Sequence, residues 1–172
     1  MKRRVVHLRE YRREDLDAMQ ALDLECFPEP FRFTRETMKR FAEAGKARVT
    51  LASEEGDLLG FIIVHVEEAS QQGYIVTLDV AEKARRRGVA TRLMACGETH
   101  ARVAGCCEMM LHVYTRNHAA IRFYEHNGYE RLGRTEYFYG RDVHGRSLDA
   151  WLYRRILLPE SVLQQAHKSR ES

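Results

Sequence analysis

A chain of 172 residues, 44% of them hydrophobic, is long enough to bury one continuous core and falls within the usual size of a single domain. Its 28 Lys and Arg against 25 Asp and Glu leave a formal charge of +3, too small to argue for wholesale nucleic-acid or membrane binding. The longest apolar stretch, around residues 58–66, is far short of a bilayer span, and the charged start Met1-Lys2-Arg3-Arg4 leads into no apolar signal core, so a cytoplasmic protein is expected.

The interleaving of Val5, His7 and Arg9 with Val6 and Leu8 suits an opening strand. From Asp15, read as a cap, Leu16, Met19, Leu22 and Cys26 recur at helical spacing until Pro28 and Pro30 stop the helix near Phe27. A second helix follows Thr34, with Thr34 as cap and Phe33 and Met38 as a hydrophobic staple, and ends by Gly45. Residues 48–53 and 58–67 are β-rich and joined by Glu54-Glu55-Gly56-Asp57, a hairpin turn. A further strand, 74–80, runs into the charged stretch 82–88. Leu93, Met94, Gly97, His100, Ala101 and Ala104 then share one helix face up to Gly105, and 109–113 is the next strand. Asn117 caps a helix carrying Ala120, Ile121 and Tyr124, closed by Asn127-Gly128. Strands near 129–138 and 148–157, joined by a turn at 142–145, complete one domain over residues 1–158, with a short polar tail at 159–172.

This order of elements is an α/β (α+β) single-sheet arrangement. The four cysteines, Cys26, Cys96, Cys106 and Cys107, lack the paired spacings of a zinc or redox site, so free thiols and no metal are expected.

Chemistry concentrates after the fourth strand, where Leu78-Asp79-Val80 leads through residues 81–84 into Arg85-Arg86-Arg87-Gly88-Val89-Ala90-Thr91 and a helix start. A strand entering a small-residue loop and then a helix presents unpaired main-chain N–H groups, and the helix dipole adds positive potential. Gly88 and Ala90 let a diphosphate approach and the arginines add charge, so the segment reads as a phosphate-binding loop. Neither the P-loop nor the three-glycine dinucleotide fingerprint fits it. Without this context the basic run would read as a solvated face or a nucleic-acid patch, but no stacking aromatics interleave with it.

The Arg-x-x-Gly-x-Ala spacing resembles the acetyl-CoA loop of the GCN5-related N-acetyltransferases (GNAT). Leu111-His112-Val113, Asn117, Ile121-Arg122-Phe123-Tyr124 and Asn127-Gly128-Tyr129 resemble that family's next strand and helix, in the family's order. Phe27-Pro28, the strand Tyr74-Ile75-Val76-Thr77-Leu78 and Leu111-His112-Val113 are most similar to the protein N-terminal acetyltransferases, including the ribosomal-protein alanine acetyltransferases.

The resemblance implies a GNAT fold: one mixed, mostly antiparallel sheet of about seven strands with about four helices, splayed between the fourth and fifth strands. It implies acetyl-CoA as co-substrate, held by Leu78, Asp79, Val80, Arg85, Arg86, Arg87, Gly88, Val89, Ala90, Thr91, Asn117 and Tyr124, with main-chain N–H groups near residues 78–80 meeting the acetyl carbonyl. Asn117 and Tyr124, seven apart on one helix face, would hold the pantetheine arm and supply the proton for the departing thiolate. His112 points opposite to Leu111 and Val113 and is the candidate base, with Tyr74 as a water relay. Phe27, Pro28, Tyr74, His112 and Tyr137 would line the acceptor site.

The expected acceptor is the α-amine of a protein or peptide N-terminus. A small-molecule amine, a lysine side chain, or a non-catalytic module binding acyl-CoA or nucleic acid are the alternatives. No nucleic acid or membrane partner is otherwise expected, and the protein is expected as a monomer or homodimer.

Overall fold

Seven strands and four helices follow one another in the computed structural model, which describes residues 5–158. The opening residues 1–4 and the expected polar tail at 159–172 lie outside the described residues. The strands are β1 (His7–Glu10), β2 (Ala47–Glu54), β3 (Asp57–Glu67), β4 (Gln72–Val80), β5 (Glu108–Tyr114), β6 (Glu130–Thr135) and β7 (Ala150–Ile156). The helices are α1 (Leu16–Cys26), α2 (Arg35–Ala42), α3 (Val89–Val103) and α4 (His118–His126). All strands join one sheet in the order β1-β2-β3-β4-β5-β7-β6, antiparallel throughout except for the β4–β5 pair. This is the expected mixed, mostly antiparallel sheet. None of the described helices is long and apolar enough to cross a membrane.

Strand alternation decides which helix covers which face. Ile62 and Val64 of β3 point at α3, where a side chain added at Gly97 would meet them. His65 points the other way, its ring nitrogen 2.9 Å from the Phe41 carbonyl of α2. Helices α1 and α2 therefore lie on one face and α3 on the other, and β3 is buried along most of its length, as a central strand covered twice must be.

The β2–β3 hairpin turns through Glu55 and Gly56, both at positive φ, the two-residue geometry that matches strand twist. Thr34 caps α2 as expected, its hydroxyl accepting the Thr37 N–H at 3.1 Å. One local expectation is corrected. Asp15 does not cap α1: a 3₁₀ turn over Arg13–Asp15 runs straight into the helix, so Asp15 is already helical. Its carboxylate caps the turn instead, accepting the Arg12 N–H at 2.8 Å and pairing with Arg9. Phe33 packs its ring against Phe41 at 5.3 Å between centroids and lies against the core cluster that holds Met38.

Gly97 marks the closest approach of α3 to the sheet. A methyl group there would lie 2.9 Å from Val64 Cγ2 and 3.0 Å from Ile62 Cδ1, both branched and fully buried side chains. Overpacking costs about 1–3 kcal/mol, against about 1 kcal/mol gained from alanine's better helix propensity. Gly97→Ala is therefore expected to lower unfolding stability by about 1 kcal/mol, measured as a fall in the urea midpoint at unchanged slope.

Candidate active site

Strands β4 and β5 pair at four positions only, from Gln72↔Glu108 to Ile75↔Leu111. Beyond them β4 continues with β3 alone and β5 with β7 alone, so the sheet opens into a wedge between residues 76–80 and 112–114. A bulge at Val76, opposite the Ile63/Val64 step, helps β4 turn away.

At the wide end, β4 passes into a 3₁₀ turn, Glu82–Ala84, and then into the first turn of α3. Ala84 and Val89 are buried and anchor the segment from below. Arg86 and Gly88 both take positive φ, 57° and 77°, and no described side chain caps α3. The main-chain N–H groups of Arg86, Arg87, Gly88, Val89, Ala90 and Thr91 donate to no main-chain carbonyl among the described residues. A Cβ built on Gly88 meets nothing within 4 Å. Six free donors around open space at a helix start fit a diphosphate.

The loop's cations are unequally free. Arg87 reaches the buried carboxylate of Glu54 at 2.6 Å, Lys83 pairs with Asp57 at 2.8 Å, and Arg85 Nε donates to the Val80 carbonyl at 3.3 Å. Two ion pairs thus tie the loop to the β2–β3 hairpin, and the exposed guanidinium of Arg86 has no such tie among the described residues.

At the point of the wedge, Tyr74 of β4 and His112 of β5 come together, the phenol oxygen 2.9 Å from His112 Nδ1. His112 Nε2 lies 3.1 Å from the Thr135 hydroxyl of β6, and its ring stacks on Phe138 at 4.1 Å. Burial lowers the His112 pKa from its ordinary 6.5, so the ring is neutral at neutral pH. Burial pushes the Tyr74 phenol up to about 12. Thr135, His112 and Tyr74 form a hydrogen-bonded chain from β6 to the strand gap.

Tyr124, on α4, is buried with its ring against Phe123 and Tyr129. Burial raises its pKa far above the ordinary phenol value, with the nearby Tyr139, Asp79 and Tyr74 adding to the effect. It is near enough to those groups for their charges to act on it, and its hydroxyl stays protonated. Asn117 caps α4, its Oδ1 accepting the Ala120 N–H at 3.2 Å, which leaves the amide NH₂ to donate outward.

The side of the wedge facing α1 and α2 is aromatic. Phe31, from the α1–α2 connection, packs against Tyr114 at 4.5 Å and Tyr139 at 5.0 Å. Phe27 ends α1 half-buried and Pro28 is exposed beside it. Tyr137 lies apart from this cluster. Its φ of 56° ends the regular strand two residues after β6, earlier than the expected 138, and turns its ring outward under Arg141 at 4.5 Å. The same reversal points Phe138 at His112 and Tyr139 at Phe31. Tyr139, Phe31, Tyr114 and Thr135 thus line the candidate site without having been identified by the motifs; the Tyr-x-Tyr spacing of 137 and 139 was the available signal. Asp149 fixes the reversal: its carboxylate accepts the Tyr137 N–H at 3.0 Å and also holds Ser147 and Arg134, which together keep it well ionised, at a pKa of about 2. The four cysteines are free, and no group of metal-ligating side chains occurs among the described residues.

Comparison with known proteins agrees with this architecture. The chain is 30% identical over 111 residues to N-alpha-acetyltransferase 60 of Xenopus tropicalis, a match covering 63% of this chain and 44% of that protein. The chain thus spans less than half the length of that relative. The ribosomal-protein-S18-alanine N-acetyltransferase of Escherichia coli superposes with a TM-score of 0.77 at 18% identity, over 91% of this chain and 97% of that one. Arabidopsis thaliana NAA60 in complex with acetyl-CoA superposes with a TM-score of 0.75 at 22% identity, over 89% and 99%. The model of the acetyltransferase (GNAT) family matches residues 16–129, and with the parted β4–β5 pair at its centre this chain belongs to that family.

Proposed function

We propose that this protein moves the acetyl group of acetyl-CoA to the α-amine of a peptide or protein N-terminus by direct attack. One observation carries the reading: the wedge between β4 and β5 has six free main-chain N–H groups at one end and the Tyr74–His112 pair at the other. Amides 86–91 would bind the diphosphate, and main-chain N–H groups freed along residues 76–80 would meet the charge that develops on the acetyl oxygen. The coenzyme supplies a thioester; orientation within the wedge supplies much of the acceleration.

The acceptor amine would enter from the aromatic side. Its proton passes to the Tyr74 oxygen, directly or through a water, as the Tyr74 proton moves to His112 Nδ1. A histidine whose pKa is held below 6.5 is a weak base. It suits an α-amine of about 8 far better than a lysine of about 10.4. The support from relatives is of the same kind: the Xenopus protein is named an N-alpha-acetyltransferase and the Escherichia coli structure an alanine N-acetyltransferase.

Incubation with acetyl-CoA and peptides of varied first residue, mapped by mass spectrometry, tests the acceptor. Label on the α-amine is expected; label confined to lysine side chains, or turnover with small amines alone, rejects the reading. Because His112 must be neutral to accept a proton, kcat should fall as pH drops through the native pKa of His112. The midpoint of that acid limb is expected below 6.5, and His112→Gln should remove the limb. A limb that survives the substitution assigns it to another group.

A further inference from the structure

Two carboxyl groups play no part in the chemistry above. Asp23 of α1 is 0% exposed and the side chain of Asp79 on β4 is 1% exposed. Asp23 Oδ2 accepts the Phe33 main-chain N–H at 2.6 Å, and Asp79 Oδ1 accepts the Thr77 hydroxyl at 2.5 Å. Asp23 Oδ1 and Asp79 Oδ2 are both buried with no donor among the described residues. The two side chains lie where α1 crosses β4: Cys26, one turn on from Asp23, places its thiol 3.5 Å from the carbonyl of Val80, the residue after Asp79, and each carboxyl acts on the other.

Two carboxylates facing each other in an apolar interior repel and lose their hydration, whereas a single proton between them turns the repulsion into a bond and satisfies both orphan oxygens. No other facing group replaces that proton. Arg32, from the α1–α2 connection, acts on Asp23 from a distance and is itself held by Glu29 at 2.6 Å. The charge of Asp79 also acts on Cys26 of α1 and Tyr124 of α4, and both are kept neutral by burial. Arg85 acts on Cys26 and is turned to the Val80 carbonyl.

We propose that Asp23 and Asp79 share one proton, and that this proton bolts the α1–α2 connection to β4, making the two aspartates positioning residues for the acceptor side of the wedge. The bolt acts through a short path: Asp23 holds the Phe33 N–H, and two residues earlier Phe31 packs on Tyr114 and Tyr139. The pH dependence follows from the proton count. Burial raises the Asp79 pKa well above the ordinary 3.8, so between those two values the folded chain holds a proton that the unfolded chain has lost. The bolt's contribution is complete below 3.8, falls as pH rises through that window, and ends once the native pKa is passed. Above the native pKa the connection is released and the acceptor KM rises.

The acceptor role rests on the function proposed above; the shared proton does not, and two kinds of readout separate them. An infrared spectrum of the native protein at neutral pH is expected to contain the carbonyl band of a buried protonated carboxylic acid, lost in Asp23→Asn. A native spectrum without that band overturns the proposal. Hydrogen exchange at Phe33 N–H should quicken in Asp23→Ala and return to the native rate in Asp23→Asn, whose amide donates to Asp79 without a titrating proton. Equal exchange in all three proteins also overturns it.

In steady-state assays, Asp23→Ala should raise the acceptor KM about tenfold, the scale of leaving one buried group unsatisfied, with the acetyl-CoA KM unchanged. Asp23→Asn should restore the acceptor KM at neutral pH and abolish its rise with pH. An unchanged acceptor KM beside quickened exchange overturns the positioning role. If no peptide turns over while band and exchange behave as expected, the function proposed above fails and the shared proton stands. Should Asp23→Ala fail to fold, the infrared and pH comparisons of native protein with Asp23→Asn still decide.

Discussion

Tyr124→Phe is expected to lower kcat about a hundredfold while leaving the KM for acetyl-CoA within a few-fold of the parent, the pattern of a contact made mainly in the transition state. The magnitude follows from the environment. Tyr124 is buried and its pKa lies far above that of a thiol, about 8.5, so complete proton transfer to a departing thiolate is uphill. The phenol would instead donate a hydrogen bond to sulfur as charge grows there. A hydrogen bond to a charged partner contributes about 1.5–3 kcal/mol, or roughly ten- to a hundredfold in rate. The ring contacts with Phe123 and Tyr129 survive the substitution, so stability should hardly move. Stopped-flow detection of thiol release measures the effect; a variant with parental kcat would remove Tyr124 from the chemistry.

Gly88→Val should weaken acetyl-CoA binding at least tenfold and leave the acceptor KM near the parental value. Valine in the left-handed region costs about 1–2 kcal/mol, and it would relieve that strain by moving φ away from 77°, turning the neighbouring amides off the diphosphate. The open space above Gly88, harmless to the free protein, is where the ligand would lie, so the added methyl groups also obstruct it. Isothermal titration calorimetry with acetyl-CoA gives the answer directly. Parental affinity would place the diphosphate elsewhere.

Sequence patterning carried most of the fold because this protein's elements are locally consistent. The apolar spacing of Leu16, Met19 and Leu22, the Thr34 and Asn117 caps, and the glycines at 56, 105 and 128 each agree with the structure built on them. The open amides of the loop from residue 86 to 91 were legible for a similar reason, since their geometry is set by one contiguous stretch of main chain. What stayed hidden depends on residues far apart in the chain. The pairing of Tyr74 with His112, thirty-eight positions apart, is fixed by the parallel register of β4 on β5. The outward turn of Tyr137 depends on Asp149, and the meeting of Asp23 with Asp79 depends on how α1 lies across β4. No periodicity announces a left-handed tyrosine or a carboxyl pair in the core. Nothing in the neighbourhood of Arg87 revealed that its guanidinium pairs with the buried carboxylate of Glu54.

That ion pair has an outcome for how the coenzyme is received. With Glu54 buried and Arg87 stretched to it, and with Lys83 fastened to Asp57, the stretch from β4 to α3 has its shape before any ligand arrives. Docking there need not freeze a wandering segment, since its disorder was already surrendered when the chain folded. On the function proposed above, the donor half of the cleft would be a preformed socket, while the acceptor half would be closed by two connections that meet through aromatic rings.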